Sequence, residues 1–382
     1  MVTAILLQET TLSLALCPLC HGKQSASVLS KGNYENSVVI EPLGELLKRL
    51  FRVGIQRDVP LESNIGPLAD EFMSDVGAVN PLPNGSKTLQ DGAFEQHRPL
   101  LFAIAYRMLG SVADTEDLLQ DTFIRWQQVP AVEVKSPRAF LVTILTRLCI
   151  NYLQAARLKY EAYVGQWLPE PIATSPVVDP LMSLGVNESL SFGFLLLLQR
   201  LTPVERAVLV LREVFDYEYS EIASILNRTE PNCRQVLRRA RQHIKEDRMR
   251  FEASREQQEE LLRRWSEASS EGNLGGLIAL LSEDAVFYSD GGGKAPALPN
   301  PIHGPANIAR GVLEGMKRFG VPKTLVRREI EINGRPGIIS FLDGRPFSTF
   351  TIEVLAGNIS RVYVVTNPDK LKNLPALHVL RA

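Results

Sequence analysis

Four cysteines in 382 residues are too few and too scattered for a disulfide framework. That excludes a stapled secreted scaffold and points to a reducing compartment, here the cytoplasm. Charge of one sign is also missing: 42 basic and 43 acidic residues leave a net charge of −1. No global electrostatic argument for a nucleic-acid partner follows, so any such basicity must be local. No run reads as long and apolar enough to span a membrane, and no membrane partner is expected. The stretch Met1 to Cys20 lacks a basic leader, and Gln8 and Glu9 interrupt it, so it does not read as a signal peptide. Cys17-Pro18-Leu19-Cys20-His21 has the spacing of haem attachment or half a zinc site. A zinc site needs two further ligands, and no partner CxxC or His pair appears. The pair reads as free thiols in a loose extension, and neither metal nor cofactor is expected. The length suffices for two or three domains with real cores.

The local basicity lies between Leu201 and Lys245. Thr202 is an N-cap candidate with Pro203 at the first helical position, followed by an apolar stripe of Leu201, Val204, Val208 and Leu211. Tyr219-Ser220-Glu221 opens a short helix that turns Ile222, Ala223, Ile225 and Leu226 inward. Asn227 tolerates the left-handed backbone a tight turn needs. Thr229 caps a third helix with Pro231 in its first turn. Cys233, Val236 or Leu237, Ala240 and Ile244 form its buried face; Arg234, Gln235, Arg238, Arg239, Arg241 and Lys245 form the other. A solvated basic helix would show the same charge pattern. The preceding short helix and turn favour a helix-turn-helix whose third helix enters the DNA major groove.

Upstream, residues 1–88 are the least informative; Glu45 to Arg52 suggests a short amphipathic helix, and Pro81 to Asp91, with Asn84-Gly85, a linker. From Phe94 the pattern is helical, with Leu101, Ile104, Ala105 and Met108 in one stripe and Gly110 as its stop. Ser111 and Asp114 suggest a capping box for a helix whose inner face is Leu119, Phe123 and Trp126. Asp114, Asp117 and Asp121 share another face. Ser136-Pro137 starts a third helix through Phe140, Leu141, Ile144, Leu145 and Leu148 to Tyr152, with Arg138, Arg147, Arg157 and Lys159 nearby.

These residues carry a resemblance. Gly110-Ser111, Asp114-Thr-Glu-Asp117-Leu-Leu-Gln-Asp121-Thr-Phe123, Trp126 and Ser136-Pro137-Arg138-Ala139-Phe140-Leu141 resemble region two of the extracytoplasmic-function sigma factors, and Leu201 to Ile244 resembles their region four. The resemblance implies that Asp114, Glu116, Asp117 and Asp121 meet arginines on the clamp of core RNA polymerase. It implies that Arg138, Arg147 and Arg157 serve the minus-ten element. Thr229, Glu230, Asn232, Arg234, Gln235, Arg238, Arg239 and Arg241 would serve the minus-thirty-five element. Many members carry an acidic residue where this chain has Asn151.

The last third adds a helix from Ser254 to Ser270, a second from Asn273 to Ser282, a strand from Ala285 to Tyr288, and a helix from Ala306 to about Phe319. Strand-like runs follow at Leu325–Ile332, Ile338–Leu342, Phe347–Val354 and Ile359–Val365, punctuated by Asn333-Gly334, Asp343-Gly344 and Gly357-Asn358. Helices before a curved antiparallel sheet make an α+β domain. The order resembles the SnoaL-like cone. Trp167-Leu-Pro-Glu-Pro171, Asp290-Gly-Gly-Gly-Lys294, Asn367-Pro-Asp-Lys370-Leu371 and Asn232-Cys-Arg-Gln235 resemble signatures of the sigma-factor group with a fused cone.

The expected architecture is therefore multidomain: two all-α sigma-factor domains, the second with the helix-turn-helix, then the α+β SnoaL-like cone. Its parts are an extension (1–88), region two (89–158), a Pro-rich linker (159–192), region four (193–250) and the cone (254–376). The resemblance implies control in cis. Trp167, Leu168, Pro169 and Glu170 would pack near Asp290, Gly291, Gly292, Gly293 and Lys294, and Asn367, Pro368, Asp369 and Lys370 would run back against the helical core. Some SnoaL-like proteins are enzymes, and Asp284, Asp290 and His303 are the acid–base candidates here. Fold analogy alone does not carry catalysis, and a small regulator in the cone is the stronger expectation. The partners are then core RNA polymerase, promoter DNA and that ligand. The alternatives are a ligand-responsive DNA-binding regulator without polymerase, or a pocket enzyme tethered to DNA.

Overall fold

The computed structural model describes residues 84–129, 134–161, 163–174, 190–245, 253–320, 322 and 324–379. The Cys17–His21 motif, the Met1–Cys20 stretch and the Glu45–Arg52 helix lie outside the described residues.

Helices α1 (Asn84–Leu109), α2 (Val112–Gln127) and α3 (Pro137–Glu161) form the first bundle. The expected linker from Pro81 to Asp91 is overturned, since α1 begins at Asn84. An Asn-Gly pair marks a hairpin only where two strands flank it, and here Gln127 Nε2 donates to Asp91 Oδ1 at 3.1 Å, tying this part of α1 to the end of α2. Gly110 stops α1 with φ 69°. The window Pro137–Ala156 of α3 is long and apolar enough to cross a membrane by length and composition, contrary to the reading above. Its apolarity belongs to a core helix: 72% of the window is buried, against α1, α2 and the helices that follow.

The second helical group is α4 (Phe192–Gln199), α5 (Pro203–Leu209), α6 (Tyr219–Leu226) and α7 (Glu230–Lys245). Thr202 and Glu205 cap α5 reciprocally. The helix widens into a π-helical turn at Val210–Val214, which the apolar spacing did not announce. Asn227 takes φ 50° and ψ 54° between α6 and α7. One continuous apolar core joins the two groups, from Phe94 and Leu141 to Val208 and Val236.

The remaining chain is an α+β cone. Helices α8 (Arg255–Glu271), α9 (Leu274–Leu280) and α10 (Pro305–Phe319) pack on a sheet of β1 (Leu281–Asp290), β2 (Ile302–His303), β3 (Val326–Ile332), β4 (Arg335–Leu342), β5 (Arg345–Leu355) and β6 (Asn358–Val365). The strand order is β2-β1-β6-β5-β4-β3. The sheet is mixed rather than antiparallel, because β1 runs parallel to β6. A parallel neighbour needs a long crossover, and here β2, α10 and the β3–β5 meander lie between the two strands. The turns at Asn333-Gly334 and Asp343-Gly344 hold positive φ at both central residues, as two-residue hairpins require. The third turn falls at Ala356-Gly357, one residue before the expected Gly357-Asn358.

Candidate functional site

The acidic helix α2 is built at its start by a residue far away in sequence. Ser111 Oγ accepts from Asp114 N at 3.2 Å, which is one half of a capping box. The first-turn amides of Val112 and Ala113 donate to the Glu170 carboxylate at 2.8 and 3.4 Å. A carboxylate there satisfies donors with no intrahelical partner and complements the helix dipole. Asp117 and Asp121 are exposed, and Asp114 is half-buried. Glu116 pairs with Arg98 at 2.5 Å, so its charge is already answered within the bundle.

Arg138 and Arg147 face the second helical group. Arg147 Nε donates to Ile225 O at 2.9 Å, and the Arg138 guanidinium lies 5.6 Å from the Tyr217 ring centroid. Arg157 lies on α3, with its side chain outside the described part of the structure. Arg206 Nη1 donates to Met108 O at 2.5 Å across the same boundary. These are buried or half-buried contacts, so here Arg138 and Arg147 hold α3 to α6 and its flanking loop.

On α7 the basic residues divide. Cys233, Val236, Leu237 and Ala240 are buried. Arg241 pairs with the buried Glu213 through both Nε and Nη2, Arg239 lies 3.9 Å from Glu205, and Arg234 pairs with Glu230 at 2.7 Å while covering the Tyr219 ring. Asn232 N donates to Thr229 Oγ1 at 3.4 Å, and Asn232 Oδ1 accepts from Arg228 at 3.2 Å. Gln235 and Arg238 are exposed. Lys245 ends α7, its side chain outside the described part.

Residues 163–174 are a strap docked on the cone. Consecutive strand residues point to opposite faces, and the buried Asp290 at the end of β1 faces this strap. Its carboxylate accepts from Tyr163 Oη at 2.7 Å, Leu168 N at 2.8 Å and Lys370 Nζ at 2.7 Å. Lys370 also donates to Leu168 O and lies 4.0 Å from the Trp167 ring centroid. Trp167 reaches the helical core as well, its ring 2.9 Å from where a Gly110 side chain would begin. Pro169 is buried beside it. Gly292 and Gly293 take φ 60° and 70° in the loop after Asp290. A Cβ on Gly291 would collide with Ala295 O, and one on Gly292 with the Asn367 amide, which donates to Tyr163 Oη at 2.8 Å. Lys294 pairs with Asp369, which also pairs with Lys372 at 2.8 Å and is held down at about 2 by hydrogen bonds from those lysines. Pro368 is exposed.

Three further tethers carried no sequence signal as sites. Asn333, read as a turn residue, is fully buried; its Oδ1 accepts from Ile172 N at 2.9 Å, and its Nδ2 donates to Tyr106 Oη at 2.7 Å and Leu190 O at 3.1 Å. Tyr106 Oη in turn donates to Glu170 O at 2.5 Å, joining α1, strap and cone. Asn373 Nδ2 donates to Glu170 Oε1 at 2.8 Å. Glu353 accepts from Gly193 N at 3.0 Å, so the cone caps α4. Burial pushes Glu170 and Glu353 above the usual carboxylate range, while the hydrogen bonds they accept pull them back.

Burial brings Lys370 down to about 8 from an ordinary 10.5, against the pull of Asp290. Between those values the unfolded chain binds the extra proton. This lysine's contribution to stability therefore rises, rather than falls, as pH increases through that window. The Lys370→Met variant should lose that rise when unfolding is followed by urea titration across the same pH range.

The acid–base candidates do not converge. Asp290 is engaged by the strap and Lys370, Asp284 is exposed and accepts from Ser282 Oγ at 2.8 Å, and His303 is exposed on β2. None of the three lines the cavity of about 650 Å³ inside the cone. Among the described residues no cluster of His, Cys, Asp and Glu has the arrangement of a metal site.

Comparison with known proteins agrees with this layout. Sigma-70 region 2 matches residues 93–158, and Sigma-70 region 4 matches residues 192–244. The ECF RNA polymerase sigma factor SigJ of Mycobacterium tuberculosis is 31% identical over 292 residues, 74% of this chain and 93% of that protein. A probable ECF RNA polymerase sigma factor from the same organism, SigI, is 26% identical over 74% of this chain and 95% of its own length. The crystal structure of SigJ superposes with a TM-score of 0.61 at 30% identity, covering 75% of this chain and 99% of that one. The region 4 match ends at residue 244, so a match of 292 residues must extend into the C-terminal domain. With both helical regions matched in order and the C-terminal domain shared, the chain belongs to the extracytoplasmic-function RNA polymerase sigma factors, with a fused C-terminal α+β domain.

Proposed function

We propose that this sigma factor is controlled in cis by the grip of its cone on the strap. The observation that carries the reading is Glu170: one strap carboxylate caps α2 and is held by Asn373 of the C-terminal segment. Core polymerase is met by Asp114, Asp117 and Asp121, with Glu116 joining when Arg98 releases it. Promoter DNA is met by α7 through Gln235 and Arg238, and by Arg138, Arg147 and Arg157 once α3 parts from α6. Region two is assigned to 89–158, the linker to 159–192, region four to 193–250 and the cone to 254–376, with 1–88 as an extension. The chain acts in the cytoplasm and is not itself an enzyme, and the cone takes a small ligand. The test is promoter-directed transcription with core polymerase, comparing the whole chain with one whose strap contacts are broken. Equal output from both removes the cis-control reading.

For α7 the geometry separates two kinds of arginine. Arg238→Ala is expected to weaken promoter affinity by about 1–3 kcal/mol, unevenly across operator variants, as for a base-reading side chain. Arg241→Ala should instead lower stability, because it strips the buried Glu213 of its partner. Fluorescence anisotropy on a promoter library and urea unfolding of both variants distinguish the two.

A further inference from the structure

We infer that the cone cavity is a receptor site for a small amphiphilic anion, a flat apolar body bearing one acidic group, and that its occupancy is passed to the Asp290 clamp. The cavity holds about 650 Å³, the size of an ordinary small-molecule site. Trp265, Phe287 and Phe350 line it with apolar ring surface. Ser269 also lines it, is 7% exposed, and its Oγ has no hydrogen-bond partner among the described residues. A buried hydroxyl without a partner is costly, and a turn of the Ser269 side chain toward the cavity would let a ligand oxygen satisfy it. Arg318 and Arg327 are exposed on the lining, with Glu314 beside them, so the rim carries a net positive charge. Guanidinium pairs suit a carboxylate or sulfonate at the mouth of an apolar pocket.

The route outward is short. Ser289 lines the cavity and accepts from Leu298 N at 2.8 Å, while the next residue, Asp290, grips the strap. Thr366, also in the lining, shares its one hydroxyl proton between Asp290 O at 3.2 Å and Pro296 O at 3.1 Å. One strand end therefore carries cavity wall on one face and clamp on the other. An occupant that shifts the Pro296–Leu298 wall pulls directly on the Asp290 backbone. This second step rests on the cis-control reading; the binding site itself does not.

The test titrates the full chain with anilinonaphthalene sulfonate, and follows hydrogen exchange of residues 163–170 at saturation. Expected are one saturable site, about tenfold weaker binding in the Arg318→Ala/Arg327→Ala variant, weaker binding in Ser269→Ala, and none in Ser348→Trp, which fills the cavity from a half-buried lining position. Exchange in 163–170 should change at least threefold. The site is overturned if the arginine variant binds as the parent does or if a neutral naphthyl amide competes equally. Binding that leaves exchange in 163–170 unchanged overturns the coupling alone. Transcript output from clamp variants reads the cis-control proposal separately.

Discussion

Asp290→Ala is expected to destabilise the docked strap by about 3–5 kcal/mol, the cost of leaving one member of a buried ion pair without the other. Lys370 would keep its burial and lose its carboxylate, and the Leu168 amide and Tyr163 hydroxyl would lose their acceptor in the same step. The Asp290→Leu/Lys370→Met double variant should recover much of the loss, because two apolar side chains leave no charge to solvate. Limited proteolysis at the strap and denaturant unfolding read the stability; promoter-directed transcription reads the function. A double variant as damaged as the single one would show that the charge pair is not what holds the strap.

Trp167→Ala should cost roughly 2–3 kcal/mol of strap docking, less than a fully buried tryptophan because this one is only half-buried. The indole sits between the α1–α2 turn and Lys370, so its removal loosens both sides at once. Gly110 leaves the room: it already needs φ 69°, and a side chain there would press on the ring. Transcript output is expected to change while the affinity of α7 for promoter DNA does not. Parallel transcription and anisotropy measurements on the one variant check both halves, and unchanged output removes Trp167 from the control device.

Local chemistry made most elements legible. Thr202-Pro203, Asn227 and the hairpin pairs at Asn333 and Asp343 state their backbone requirements in residue type, and the structure meets them. Elements set by distant partners were not legible. The parallel pairing of β1 with β6 depends on where the crossover returns, and neither strand's own pattern reveals that. The start of α1 at Asn84 was hidden by a turn signal that has no strands to join. Around the clamp, residue type announced the three glycines and Trp167. It gave no sign that Asn333 and Glu353 bind backbone amides more than a hundred residues away, because a buried amide and a turn asparagine look alike in one dimension. The arginines of α3 show the reverse: their charge was legible, but their engagement by α6 and Tyr217 was not.

That engagement bears on ionic strength. Each phosphate neutralised by a cation adds about 0.9 to the slope of log affinity against log salt. In the arrangement described, Arg138 and Arg147 are turned to a ring and a carbonyl rather than to a duplex. If α3 parts from α6 on promoter DNA as proposed, internal glue becomes polyelectrolyte contacts, and a steeper salt response is expected of that arrangement alone.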